Sequence, residues 1–378
     1  MFKLSAALRS RTHVDRPMLI ILACLILLGI VMFLSAALGQ LARDTHSILP
    51  IIFNHLALGV GVGVVLMIVA ANIPYKHWRR FAPYLYGSSL LFTALVFIPY
   101  ISLAAGGARR WLLLGPISLQ PSEFLKVGVI LFLAYYLAKY RSRISSWRYG
   151  LGAFLLILAP AGVLLLAQPD TGTLGIIVCA GLAMFIAAGA PWRQIFALLG
   201  LGIVMLAILA MLRPYVLDRV MTFINPSKEQ HSTGYQIKQS LLAIGSGGLT
   251  GRGLGQGIQK FSYLPEPMSD SIFAVAAEEF GFLGTITIVG LFTAFAARGL
   301  SIAAHAADQF GAFVAVGIVT YIAVEAFVNI GSMLGMLPLT GIPLVFISHG
   351  GTAMLTALGA VGILLNISKT RSAKRLTE

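Results

Sequence analysis

The chain has 378 residues, of which 58% are apolar and 11% are charged, and its formal net charge is +14. Ordinary soluble proteins carry about 25% charged residues, and one water-soluble core cannot bury this much apolar surface. The composition therefore excludes a soluble enzyme. Charges cluster at intervals, and most charge-free runs between them reach the length of about 20 apolar residues that crosses a bilayer. An integral membrane protein is predicted.

The charge-free runs predict ten membrane-spanning helices in an all-α, polytopic fold with one membrane domain over residues 1–378. The predicted helices cover 17–39, 48–71, 81–104, 121–138, 150–168, 172–190, 194–212, 271–296, 310–336 and 348–367. The run 326–368 is too long for one helix, and Pro338, Gly341 and Pro343 interrupt it. It is expected to hold a helix end, a loop that dips into the membrane and a further helix.

Basic residues concentrate in the loops on one side of this arrangement. Short loops rich in Lys and Arg mark the cytoplasmic face, so both termini are predicted to be cytoplasmic and a large loop, about 213–270, to be extracytoplasmic. Topology and anionic lipid account for the positive charge, so no nucleic-acid partner is expected. The basic residues on the predicted cytoplasmic side are Lys3, Arg9, Arg11, Arg16, Lys76, Arg79, Arg80, Lys139, Arg141, Arg143, Arg148, Arg193, Arg298, Lys369, Arg371, Lys374 and Arg375.

Two adjacent arginines, Arg109 and Arg110, precede an apolar stretch, residues 111–119, that is too short to span a bilayer. This stretch is predicted to lie in the outer interface with Trp111 as its anchor, which would hold both guanidiniums at headgroup depth. Paired arginines at that depth suit a phosphate ligand. An ordinary lipid-headgroup anchor is the alternative.

Glu123 and Lys126 follow Pro121, which begins the next predicted helix. Their spacing of three residues allows them to pair on one helix face inside the membrane. Ionisable residues in a span are costly and mark functional sites. A self-satisfied structural pair is an equally good interpretation.

Asp170 and Asp270 both lie where the chain enters a predicted helix. Asp170 is expected either to cap the following helix or to orient Arg109 or Arg110, and an N-cap is also the ordinary role for Asp270. The glycine-rich run 245–253 could form backbone nests that bind anions, although such a run alone is weak evidence.

Four strings resemble the SEDS family, which comprises FtsW, RodA and SpoVE. They are GARRWLLLGPISLQPSEFLK, AQPDTGT, GYQIKQSLLAIGSGGLTGRGLGQGIQKFSYLPEPMSDSIFAVAAEEFGFLG and NIGSMLGMLPLTGIPLVFISHGGTAMLTALGAVGILLNISK, in order over nearly the whole chain. The resemblance implies ten helices with cytoplasmic ends in the bacterial cytoplasmic membrane. QKFSYLPE looks like FtsW and LTGIPL looks like RodA, so division and elongation roles both stay open, with FtsW slightly favoured.

The resemblance also implies a peptidoglycan glycosyltransferase that polymerises lipid II for cell division or cell shape. The family's functional aspartate corresponds to Asp270, which would accept the proton of the attacking sugar hydroxyl. Arg109 and Arg110, with Lys126 or a divalent cation (Mg²⁺ or Mn²⁺), would neutralise the departing pyrophosphate. The full set of expected substrate-binding residues is Arg109, Arg110, Trp111, Glu123, Lys126 and Asp170.

Two residues depart from the family's motifs. Ser271 replaces the usual aromatic residue after the aspartate, and His349 replaces the aromatic residue of the Ser-Tyr-Gly-Gly motif. Both departures concern the shape of the site more than its chemistry. His349, in a turn below the surface, is expected to donate one structural hydrogen bond.

Two other functions stay open. A lipid II flippase could use Glu123, Lys126, Glu278, Glu279 and Glu325 as a polar path through the membrane. A scaffold could recruit a class B penicillin-binding protein, the partner that usually accompanies and activates this family, with other divisome or elongasome components. No GxxxxGK[ST] motif is present, so the energy must come from an activated substrate or an ion gradient.

Overall fold

The structure is a computed structural model that describes residues 14–43, 48–105, 108–114, 117–224 and 233–370. Several residues used above to predict orientation lie outside these ranges. They are Lys3, Arg9, Arg11, Arg371, Lys374 and Arg375.

Long helices joined by short turns make up most of the described chain, and all ten predicted helices are present. They are α1 (Arg16–Arg43), α2 (Ile48–Phe53, continuing as a π-helix over Asn54–Val62 and as an α-helix over Gly63–Asn72), α3 (Tyr75–Ala94), α4 (Pro121–Tyr140), α5 (π-helical Arg148–Gly152, then Ala153–Ala167), α6 (Thr171–Ala187), α7 (Trp192–Leu212), α11 (Ile272–Ala304), α12 (Gln309–Met333) and α13 (Gly351–Lys369). The segment between α7 and α11 contains three shorter helices, α8 (Pro214–Ile224), α9 (Thr233–Ser246) and α10 (Gln259–Ser262).

Among the described residues, eight helices are long and apolar enough to cross a membrane. The other two of the ten are α3, whose first turns carry Lys76, Arg79 and Arg80, and α6, which is apolar but has only 17 residues. The molecule is an all-α polytopic membrane protein, as predicted.

The helix predicted over 81–104 is wrong in its bounds, because α3 begins at Tyr75 and ends at Ala94. A short 3-10 turn follows, and Ile98 is extended. The reason is Pro99, which cannot donate a backbone hydrogen bond and which disfavours helical backbone in the residue before it.

The chain after Pro99 forms a small antiparallel sheet, which contains all the strands of the described residues. Its strands are β1 (Ser102–Ala105), β2 (Ala108–Leu114) and β3 (Ile117–Leu119), in the order β1-β2-β3. The stretch 111–119, expected to lie in the outer interface, contributes residues 111–114 to β2 and 117–119 to β3. Trp111 is half-buried and Leu112 is buried.

Helix α13 lies at the centre of the bundle, and nearly all of it is buried. Small residues let its neighbours approach closely, as is usual between membrane helices. A Cβ atom at Gly362 would lie 2.4 Å from the backbone oxygen of Met67 on α2, so this contact requires glycine.

The break predicted in the run 326–368 is present. Helix α12 ends at Met333, α13 begins at Gly351, and the irregular residues 334–350 between them, called here the central loop, are largely buried. The Asn329 amide, near the end of α12, donates to the backbone oxygens of Asp270 at 2.9 Å and of Ile342 at 2.7 Å. One side chain thus joins the central loop to the start of α11.

The glycine-rich run 245–253 packs against an interruption in α11 at Gly281. The backbone N–H groups of Arg252 and Gly253 donate to the backbone oxygens of Glu278 and Glu279, each at 3.0 Å. A Cβ atom at Gly251 would lie 2.1 Å from the Glu279 backbone oxygen. These glycines therefore allow two backbone segments to approach closely. The N–H groups of Arg252 and Gly253, which an anion-binding nest would direct at its ligand, donate to carbonyl oxygens instead.

Two buried carboxylates of α11 fasten this segment. Glu279 pairs with Lys260 at 2.6 Å, both side chains are fully buried, and the Ser35 hydroxyl of α1 bonds to both. Glu278 accepts the backbone N–H groups of Ile258 and Gln259. Both glutamates have structural partners, which argues against their use as steps of a polar path.

The buried pair predicts a stability effect. Lys260→Met leaves the Glu279 carboxylate buried without its cation, and breaking such a pair costs about 3–5 kcal/mol. We expect a clearly lower thermal unfolding midpoint in detergent and faster proteolysis within residues 247–262. The matched control is Arg252→Met, which removes a half-exposed guanidinium 3.7 Å from Glu278 and should cost about 0–1 kcal/mol. Equal midpoints for the two variants would contradict this assignment.

Candidate active site

A cavity of about 360 Å³ lies where β2, the starts of α4 and α6, the chain before α11 and the central loop meet. Of the predicted site residues, Arg110, Trp111, Glu123, Asp170 and Asp270 line it. Lys126 lies next to Glu123 but does not line the cavity, and Arg109 is not part of it. Further lining side chains are Glu266, Ser269, Glu325, Thr340 and His349.

Asp270 precedes α11 without capping it. The N-cap residue is Ser271, whose side chain makes no capping bond, so the N-cap role predicted for Asp270 is wrong. The Asp270 backbone oxygen is fixed by Asn329, and its Oδ2 atom lies 3.4 Å from where a Cβ atom of Gly341 would be. Gly341 has a φ of 70°, so a side chain there would be strained, and its Cβ atom would be in van der Waals contact with the carboxylate.

The environment of Asp270 makes it a stronger base than an exposed aspartate. Burial raises the pKa of Asp270 to about 6, and the nearby Glu266 carboxylate contributes in the same direction. Arg219 and Arg110 oppose this rise. Near neutral pH, Asp270 is therefore mostly ionised yet holds a proton more readily than usual, which is the property that a general base needs.

Asp170 caps α6 as one of its two predicted roles requires, because its carboxylate accepts the Thr173 N–H at 3.3 Å. The Asp170 side chain was also expected to orient Arg109 or Arg110, but backbone oxygens before Asp170 orient Arg110 instead. Arg110 donates from Nε to the Gln168 backbone oxygen at 3.3 Å, and from Nη2 to the Pro169 backbone oxygen. The turn before Asp170 thus holds the guanidinium through its carbonyl groups.

Arg109 and Arg110 do not act as the expected pair. Both lie on β2, and successive side chains of a strand point to opposite faces of the sheet. Arg110 is half-buried and faces the cavity, whereas Arg109 is exposed. No strand was predicted in this stretch, and the two neighbouring arginines were therefore expected to be equivalent.

The predicted pair of Glu123 and Lys126 is present, at 2.9 Å, and gains a third member. Glu325 of α12 lies 2.7 Å from the same ammonium group, and all three side chains are buried. Both glutamates line the floor of the cavity. Lys126 therefore holds two carboxylates in place beneath the site and has no direct access to a ligand in this arrangement.

Arg219 is a residue near the site that was not predicted from the sequence. It lies on α8, and its Nη1 atom donates to the Thr340 backbone oxygen of the central loop at 3.1 Å. Burial and the nearby Arg110 lower its pKa, while Asp170 and Asp270 partly compensate. The available signal was helical spacing, because Val216, Arg219 and Thr222 share one face of α8, and Val216 and Thr222 are buried.

The two departures from the family motifs lie at the edge of the site. Ser271 is buried and accepts a hydrogen bond from the Gln236 amide of α9 at 3.0 Å. The His349 backbone N–H donates to the Met268 oxygen at 2.6 Å, whereas the ring Nε2 atom is buried without a partner. Burial lowers the pKa of His349, so its ring is neutral near pH 7.

Several charged groups that line the cavity do not pair with one another, and Arg219 lies beside them, bonded to the lining residue Thr340. Within the described ranges, no ion pair joins Arg110 or Arg219 to Asp170, Glu266 or Asp270. In the same ranges, no three His, Cys, Asp or Glu side chains converge to hold a metal ion by themselves. The divalent cation considered above would therefore need oxygen ligands from the substrate as well as from the carboxylates of the cavity. The cavity suits a ligand that presents both anionic groups and proton-donating hydroxyls.

One family of known proteins matches nearly the whole chain. The family model for FtsW, RodA and SpoVE, described as "Cell cycle protein", matches residues 15–373. Stage V sporulation protein E of Bacillus subtilis (strain 168) is 39% identical over 360 residues, which cover 95% of this chain and 98% of that protein. The probable peptidoglycan glycosyltransferase FtsW of Geobacter metallireducens is 38% identical over 367 residues, 97% of each chain.

Solved structures agree with the sequence relatives. RodA of Thermus thermophilus is 28% identical, with a TM-score of 0.69, and the match covers 95% of this chain and 97% of that one. A chain from a peptidoglycan synthase complex that coordinates polymerisation and crosslinking is 26% identical, with a TM-score of 0.78 and coverage of 95% and 99%. The chain therefore belongs to the FtsW, RodA and SpoVE family of polytopic membrane proteins.

Proposed function

We propose that this protein is a peptidoglycan glycosyltransferase that polymerises lipid II, the disaccharide peptide on undecaprenyl pyrophosphate, into β-1,4 glycan strands. The observation that carries this proposal is the cavity in which the Asp270 carboxylate and the Arg110 guanidinium face one space without pairing. Relatives named as FtsW glycosyltransferases support the same substrate class.

The reaction would be an inverting displacement. The 4-hydroxyl of the acceptor sugar attacks the anomeric carbon of the α-linked donor, the new C–O bond forms, and the bond to pyrophosphate breaks with its electron pair on the leaving group. Asp270 accepts the hydroxyl proton, a contribution typically worth about 10²- to 10⁴-fold in rate. No general acid is required, because pyrophosphate leaves as an anion.

The other lining residues would bind and position the substrate. Arg110 would stabilise negative charge on the leaving group, an effect that is stronger in a cavity that excludes water. Trp111 offers an aromatic face for packing against the lipid or sugar. Glu123 and Asp170 would shape the floor and wall, with Lys126 keeping Glu123 in place.

The contacts favour polymerisation over the flippase alternative. Every carboxylate proposed for a polar path has a partner, since Glu123 and Glu325 share Lys126, Glu278 binds backbone N–H groups, and Glu279 binds Lys260. A penicillin-binding protein partner is supported by the likeness to a chain of a complex that couples polymerisation with crosslinking. The scaffold role is then an addition to the enzyme and not a replacement for it.

The proposed orientation places both termini in the cytoplasm and the cavity at the outer face of the bacterial inner membrane. In a variant with Cys24 and Cys179 replaced by serine, Leu249→Cys should react with an impermeant maleimide in intact spheroplasts. Ser146→Cys, exposed at the other end of the bundle, should react only after permeabilisation. The reverse labelling pattern would refute this orientation.

Asp270→Asn tests the proposed base. Asparagine has nearly the same shape but cannot accept the proton, so glycan synthesis from labelled lipid II should fall by about 10²-fold or more. The assay uses purified protein with a class B penicillin-binding protein, and normal co-purification and an unchanged unfolding midpoint show that the fold is retained. Polymerisation at the wild-type rate would reject Asp270 as the base. Leaflet exchange of lipid II by the wild type without polymer would favour the flippase.

The pKa of Asp270 predicts an acid limit to activity. Protonated Asp270 cannot accept a proton, so the rate should be full above pH 7 and fall as the pH drops through about 6. Glu266→Gln removes a charge that raises this pKa, which should shift the acid limb of the pH–rate profile to lower pH. Glu266→Asp keeps the charge and tolerates the positive φ of this position, so its limb should stay near that of the wild type. Superimposable limbs for the Gln and Asp variants would contradict the assignment.

A further inference from the structure

Arg219 does not itself line the cavity, but it is bonded to the lining residue Thr340, and the proposed reaction assigns it no role. It belongs to α8, in the segment between α7 and α11, and is half-buried. Val216 and Thr222, three residues before and after it, are buried on the same helix face. Helical spacing therefore directs Arg219 towards the protein and away from solvent.

The position of Arg219 is fixed against the central loop. Its Nη1 atom donates to the Thr340 backbone oxygen at 3.1 Å. The next residue, Gly341, is the one against which the Asp270 carboxylate packs. Arg219 and Asp270 thus reach the loop at consecutive residues, yet no ion pair joins them in the described part of the chain.

Arg110 approaches the same space from β2. The hydrogen bonds that Arg110 and Arg219 make to other described residues go to backbone oxygens, of Gln168, Pro169 and Thr340, and not to carboxylates. Carbonyl oxygens orient a guanidinium but do not cancel its charge. Two like charges held near each other in a partly desolvated site repel, and an anion between them removes that repulsion.

A neutral donor lies beside these two groups. The Thr340 side-chain oxygen is buried at the cavity and has no hydrogen-bond partner. Buried hydroxyls nearly always have a partner, and this one is available to donate to a ligand in the cavity. The Thr340 backbone oxygen holds Arg219, so the hydroxyl and the guanidinium are presented by one short stretch of chain.

We propose that Arg219, Arg110 and the Thr340 hydroxyl form a diphosphate-binding site, with Arg219 as the second guanidinium in the place that Arg109 was expected to fill. The identification of the diphosphate as the donor's leaving group rests on the proposed function. Each planar guanidinium can bind one phosphoryl group through two parallel hydrogen bonds, so two arginines match two phosphoryl groups. Asp270 and the diphosphate site then contact consecutive residues of the central loop, Gly341 and Thr340.

Direct binding tests this site without turnover. Farnesyl diphosphate, titrated into the full-length protein in detergent, should bind with a Kd that rises at least about 10-fold in Arg219→Gln and in Arg110→Gln, since each loses a charged hydrogen-bond donor. Thr340→Val should show a smaller rise. Farnesyl monophosphate should bind more weakly to the wild type and lose less in Arg219→Gln. Inorganic pyrophosphate should compete, which would identify the diphosphate and not the prenyl chain as the group bound.

The matched control is Arg213→Gln, which removes an exposed arginine of the same segment and should leave the Kd within about 2-fold. Arg219→Lys keeps the positive charge but lacks the planar guanidinium that can form two parallel hydrogen bonds. It should therefore fold like the wild type and bind the diphosphate several-fold more weakly. This variant keeps the test decisive if Arg219→Gln does not fold. A wild-type Kd in Arg219→Gln, or in Arg219→Lys where only that variant folds, would overturn the site.

Polymerisation assays separate this inference from the proposed function. With lipid II and a class B penicillin-binding protein, Arg219→Gln should raise KM. A wild type that polymerises lipid II while Arg219→Gln keeps both KM and diphosphate affinity would refute the site and leave the function standing. A wild type that binds the diphosphate through Arg219 but makes no polymer would refute the function and leave the site standing.

Discussion

Irregular backbone in the middle of a helical bundle imposes the constraint on which this structure depends. The central loop, residues 334–350, has no helical hydrogen-bond ladder, and its buried polar groups must be satisfied by the rest of the protein. Asn329 binds the Ile342 oxygen, Ser348 accepts the Leu344 N–H and donates to Ser269, and the His349 N–H binds Met268. Most of these partners lie just before α11. The contacts that make the loop tolerable in a membrane protein are therefore the same contacts that fix Asp270.

The charges of the molecule separate into two kinds. Lys126 with Glu123 and Glu325, and Lys260 with Glu279, are closed groups in which each ion has a partner within 3 Å. Arg110, Asp170 and Asp270 at the cavity, and Arg219 beside it, take part in no ion pair within the described ranges. Backbone atoms orient Arg110, Arg219 and Asp170. The closed groups hold helices and segments together, whereas the unpaired charges at the cavity are available to bind a ligand. This distinction decides which of the intramembrane glutamates belong to the site.

Much of the fold could be predicted from sequence, because the positions of the helices follow from runs of apolar residues bounded by charge. The failures are local. Pro99 ended α3 early, and the sheet after it was not foreseen, because the stretch 111–119 shows no clean alternation of apolar and polar residues. The same omission hid the opposite orientations of Arg109 and Arg110. Arg219 was overlooked because its importance depends on which loop it meets, and that contact joins residues far apart in the chain.

The interruption of α11 at Gly281 has a consequence for assembly. Residues 248–253 complete the broken helix, since Arg252 and Gly253 donate to the oxygens on one side of the break and Phe282 and Leu283 donate to Gly248 and Leu249 on the other. An isolated α11 would expose these unpaired backbone groups to lipid, at a cost of several kcal/mol each. Because the completing stretch precedes α11 in the chain, it is synthesised first. Insertion of this helix is thus coupled to the prior arrival of the segment that its backbone requires.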